Sequence, residues 1–137
     1  MTLRTLSLVL ALFVGPVLAH DDATLDAMPS PHGGQVRMAG AYHLELVLRK
    51  DVKPGQPAPV HLHLSDHGGN PVAVKGSSAS ATLLAPGGKV VVSLKPVGNR
   101  LEGSAVYGAD PATKALVTVK FADGQTETAR FEPFKPR

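Results

Sequence analysis

From Gly34 onward the chain alternates apolar and polar positions in short runs, broken by turn residues at roughly ten-residue spacing, the rhythm of an all-β sandwich or barrel. Gln35 to Met38 is the first short strand, closed by Ala39-Gly40. Tyr42 to Arg49 has the clearest period of two, with Tyr42, Leu44, Leu46 and Leu48 on one face and His43, Glu45, Val47 and Arg49 on the other. Lys53-Pro54-Gly55-Gln56-Pro57 is a loop by its turn residues. Val60 to Ser65 alternates again, setting Val60, Leu62 and Leu64 against His61, His63 and Ser65. Asp66 to Pro71 reads as a turn leading into Val72-Ala73-Val74. Ser80 to Ala85 and Lys89 to Lys95 form a hairpin about Pro86-Gly87-Gly88, and Leu101 to Tyr107 follows Gly98-Asn99. A last hairpin joins Lys114–Phe121 to Gln125–Phe131 through Ala122-Asp123-Gly124, where Gly accepts positive φ. No run carries a helical period and no segment repeats.

Seven or eight strands in about 100 residues predict an immunoglobulin-like β-sandwich. Its inner layers are expected to use Val36, Leu44, Leu46, Leu62, Leu64, Leu83, Val92, Leu94, Val117, Val119 and Phe131. Burying one such side chain contributes about 1.5–3 kcal/mol. Ahead of this domain (34–137) lie two segments of different character. Residues 1–19 have a positive start at Arg4, an apolar run from Thr5 to Val14, a break at Gly15-Pro16 and small residues before His20, the three-part pattern of a cleaved signal peptide. The apolar run is shorter than the roughly 20 residues a spanning helix needs. Residues 20–33, with Pro29 and Pro31 and no sustained period, read as an extended arm. The expected mature protein is exported to a bacterial periplasm, is soluble, and has no segment that inserts in the membrane.

Composition narrows the chemistry. One domain's worth of chain, 137 residues, carries no cysteine, which excludes disulfides, thiolate metal sites and cysteine nucleophiles. The net charge of +3 is small and its basic residues are scattered, so no nucleic-acid footprint is formed. An aromatic fraction of 4% offers no base-stacking surface either. No G-x-S-x-G elbow, H-E-x-x-H pair or phosphate-cradling glycine loop occurs, so the chain is not expected to be an enzyme. Six histidines remain as the unusual feature.

Neutral imidazole presents a lone pair at physiological pH and binds zinc, copper and nickel. His61 and His63, two apart on a strand, project from the same face. If the strands at 42–49 and 60–65 pair about the Lys53–Pro57 loop, Glu45 falls near His63, and His43 near Ser65 and the His67 turn. The arm adds His32, which Gly33-Gly34 allows to turn back beside the first strand, and Met28, whose thioether favours Cu(I) or else packs on the sandwich. Cleavage after Ala19 makes His20 the N-terminal residue, an imidazole beside a free amine. The candidate metal ligands are therefore His20, His32, His43, His61, His63 and His67, for a copper or zinc ion. A partly exposed site of this kind suits capture and hand-over.

Pro31-His32-Gly33-Gly34-Gln35-Val36, Ala39-Gly40-Ala41-Tyr42-His43-Leu44-Glu45-Leu46-Val47, Leu64 to Val72 and Gly98 to Gly103 together resemble small periplasmic proteins associated with heavy-metal efflux systems. They are also similar to YtkA-like and FixH-like β-sandwich domains, over roughly residues 31–132. The resemblance implies an immunoglobulin-like fold and a part in periplasmic metal handling, with His32 and His43 as ligands. A second resemblance, to CopC-type copper carriers, rests on the mature N-terminal His20. Those carriers add a downstream Asp-x-His, whereas here Asp66 is followed directly by His67. The expected function is metal buffering or delivery to an efflux or assembly system. The rival expectation is an interaction module that docks on a membrane complex through an exposed strand edge, its histidines incidental.

Overall fold

Alternation becomes eight antiparallel strands in the computed structural model, which describes residues 21–136. They are β1 (Gln35–Ala39), β2 (Tyr42–Leu48), β3 (Ala58–Asp66), β4 (Ser78–Ala85), β5 (Gly88–Val97), β6 (Arg100–Ala105), β7 (Lys114–Lys120) and β8 (Thr126–Phe131). Their hydrogen-bonded order is β1-β2-β3-β6-β5-β4-β7-β8. The protein is thus all-β, an immunoglobulin-like sandwich whose sheet curls into a barrel-like form. Strand β5 makes the turn between layers: Gly88 to Leu94 pairs with β4, and Lys95 to Val97 pairs with β6. Gly103 of β6 permits that crossing, because a Cβ there would stand 2.5 Å from the Ser93 carbonyl oxygen. At the far ends of the order β1 lies alongside β8, and the Glu132 amide donates to Gln35 Oε1 at 2.7 Å.

The apolar members of each strand meet inside. Leu44, Leu46, Val60, Leu62, Leu83, Leu94, Leu101, Val117, Val119 and Phe131 are almost wholly removed from water. Val36 is a correction to the expected core. It pairs with Glu45, and residues directly opposite in an antiparallel pair share a face, so Val36 lies on the histidine side. Gln35, Arg37 and Ala39 are the inward residues of β1. Val72 to Val74 makes no strand, only an isolated bridge between Ser65 and Pro71, though Val74 is buried. Tyr107 lies beyond the end of β6; its hydroxyl donates to the Pro59 carbonyl at 2.9 Å and accepts from the Arg49 amide at 3.1 Å.

Part of the segment read as an extended arm is helical: α1 spans Asp22–Ala27. Asp21 caps it by accepting from the Thr24 amide at 2.8 Å, satisfying an amide that has no partner within the helix. Leu25 is its buried residue. Asp26 holds it to the sandwich by accepting from the two terminal guanidinium nitrogens of Arg37, Nη1 and Nη2, at 2.8 and 3.1 Å. Six residues are too few to show a 3.6-residue period, which is why the pattern of the sequence does not reveal it. Among the described residues no helix is long and apolar enough to cross a membrane. The expected signal peptide and His20 lie outside the described residues.

Candidate functional site

The β2–β3 hairpin has the register counted from its loop. Glu45 is opposite His63, and His43 is opposite Ser65. Val60, Leu62 and Leu64 are buried while His61 and His63 between them stay partly exposed, so inward apolar residues fix the outward face of the imidazoles. After Ser65 the chain turns through Asp66 to Pro71. Asp66 Oδ1 accepts from the amides of Gly68 and Asn70 at 2.8 and 2.9 Å, and Asp66 and Asn70 also bond through their backbones. That self-bonded turn sets the His67 ring against His43, centroids 5.0 Å apart and planes 23° from parallel.

The arm supplies the other side. Gly33 has φ +78°, and Gly34 runs so close to β2 that a Cβ would come within 2.4 Å of the Leu46 carbonyl oxygen. This close passage carries His32 past β1 to the Glu45 side chain of β2. Glu45 is 5% exposed, yet both its carboxylate oxygens are engaged. Oε1 accepts from the amides of His32 and Gly34 at 2.9 and 3.0 Å, and Oε2 bonds His32 Nδ1 at 2.8 Å. The His32 ring then lies flat on His63, centroids 3.6 Å apart and planes 7° from parallel.

Between the arm, β2, β3 and the 66–71 turn opens a cleft of about 480 Å³. His32, His43, His63 and His67 all line it, as do Glu45 and Met28, the last 53% exposed at the rim. Four of the six sequence candidates therefore come together. His61 does not line the cleft: its Nε2 is 3.4 Å from Glu102 Oε2, which also takes the Arg100 guanidinium. Burial pushes the His61 imidazole below the ordinary histidine range, and the Arg100 charge adds to this against the pull of Glu102. Burial likewise lowers His63, reinforced by His32 and opposed by Glu45. Both effects favour the uncharged ring, the form that offers a lone pair.

The donors are soft enough and numerous enough for a transition metal, but they do not converge on one point. Among the described residues no three His, Cys, Asp or Glu side chains are set to hold an ion together. For His32 and His63, stacking works against a shared ion. The nitrogen lone pairs of an imidazole lie in its plane, so two rings stacked 3.6 Å apart aim theirs side by side. An ion bonded at about 2.0–2.1 Å to each nitrogen requires the rings to separate. The part of Glu45 as the partner of His32 was not foreseen from sequence, which placed it only as a carboxylate near His63. Its signal was there in outline: one acid among imidazoles on the face that the arm crosses. Compared with known proteins, the chain matches no family model and no curated sequence.

Proposed function

We propose that the protein captures a transition-metal ion, copper first and zinc-like ions second, in the cleft between the arm and the β2–β3 hairpin. In this reading it buffers the ion in the periplasm or passes it to an efflux or assembly system. The observation that carries the reading is the collection of four imidazoles from the arm, two strands and a turn around one opening, with a thioether at its rim. His32, His43, His63 and His67 would hold the ion, and Met28 would favour Cu(I). The ion supplies only its coordination; the chain supplies the imidazole rings and an open mouth. Partial exposure suits a carrier better than a permanent structural centre, whose ligands are closed around the ion.

Docking through the sandwich has narrower support. Leu84 and Val91 are exposed on the outer face of β4 and β5, but apolar residues scattered at this level are ordinary on a surface. Strand edges also offer less than they might, because β1 and β8 lie against each other. Titration of the signal-cleaved protein with Cu(II), Cu(I) and Zn(II) decides between the readings. We expect binding tighter than about 10 µM, roughly −7 kcal/mol. Joint replacement of His43, His63 and His67 by Ala should remove it while leaving the β-sheet circular dichroism intact. No binding of any of the three ions by the unmodified protein overturns the metal reading.

A further inference from the structure

Glu45 does more than neutralise its surroundings. A carboxylate has only lone pairs to offer, so each group that contacts it must bring the proton. Oε1 is occupied by two backbone amides, from His32 and Gly34, and Oε2 by His32 Nδ1. The proton in that last bond therefore sits on Nδ1. In a neutral imidazole only one nitrogen is protonated, and the hydrogen bond made by one fixes the role of the other. We infer that Glu45 is a positioning residue that holds His32 as the Nδ1–H tautomer, so that Nε2, on the opposite edge of the ring, is its one metal-binding atom. The inference rests on the metal reading for what Nε2 binds, but not for where the proton lies.

Glu45→Gln gives a sharp test, because it changes the donor pattern with almost no change in shape. The Gln oxygen can keep the two backbone amides, and its NH₂ then faces Nδ1 as a donor. That forces the His32 proton to Nε2 and blocks the proposed ligand atom. Ring ¹⁵N shifts of the metal-free protein at about pH 8, above the ordinary histidine range, should show His32 as Nδ1–H in the unmodified protein and as Nε2–H in the E45Q variant. Zn(II) affinity should fall about 10–100-fold in E45Q, the usual effect of removing such an outer partner. An Nε2–H ring in the unmodified protein overturns the inference. So does an E45Q variant whose tautomer flips while its Zn(II) affinity is unchanged, since Nε2 would then not be the ligand atom. Failure of the unmodified protein to bind Zn(II) or copper sinks the proposed function instead, and the ring shifts still decide the tautomer.

Discussion

His63 and His61 stand two residues apart on β3, yet their surroundings divide their duties. His63 lies in the cleft under His32, and His61 leans on Glu102 outside it. Both are held below the ordinary histidine pKa, chiefly by burial. The unfolded chain, with histidine near 6.5, therefore takes up protons first as the pH falls. Where the unfolded state binds more protons, stability rises with pH. The contribution of these two rings is complete above about pH 6.5 and is lost as pH falls through that value toward the folded pKa. The urea midpoint of the metal-free protein should accordingly drop between about pH 8 and pH 5.5, and a H61Q/H63Q double variant should flatten that drop. A midpoint that holds steady or rises on acidification would contradict the burial of these rings. At this scale the sequence was informative wherever a residue's direction depends on its own strand. The facing of His43, His61 and His63 followed from leucines that must point inward. The bond from His32 to Glu45 did not, because it depends on the path of a segment without periodicity.

Elements owe their places here to a few close approaches. The arm reaches Glu45 because Gly34 has no side chain: a Cβ would meet both the Leu46 carbonyl and the Val47 side chain, 2.4 and 2.8 Å away. Gly33, next to it, has open space but a positive φ. The two glycines consequently fail in different ways. Gly34→Ala forces the arm off β2, costs about 1–3 kcal/mol through overpacking and should weaken Zn(II) binding at least as much as E45Q does, by carrying His32 away. Gly33→Ala carries only the left-handed backbone penalty, about 1–2 kcal/mol, and should retain binding. Thermal melts and Zn(II) titrations of the two variants check the contrast; equal loss of affinity would mean that the close passage of Gly34 is not what seats His32. Helix α1 was invisible to pattern reading because one buried residue, Leu25, is too little to make a stripe. Its cap at Asp21 and its Asp26–Arg37 fork are tertiary and end-of-helix devices, which hydrophobic periodicity does not register. The facing of β2 against β3 was readable because two leucine-lined strands expose the core if they slip by one residue, and the pairing of Glu45 with His63 is the one counted across their loop.

For the molecule as a whole, the strand count and the inner layers follow from alternation, but the order of the strands does not. Nothing in the local pattern says that β6 returns to lie between β3 and β5, or that β5 serves two neighbours along its length. Those features come from closing a twisted sheet around one core, and strands that change sheet make the corners of such packings. The same closure explains the misplaced Val36: alternation identified it as apolar, while the pairing with Glu45 decided which side it faced. The dual allegiance of β5 has a bearing on how the domain comes apart. With Leu94 at the handover from β4 to β6 and wholly buried, neither layer can detach while the other persists, for each loses a shared rail. In native-state hydrogen exchange the amides of β3, β4 and β5 should then converge on one opening free energy rather than two, and denaturant should melt arm-side and far-side strands as a single cohort.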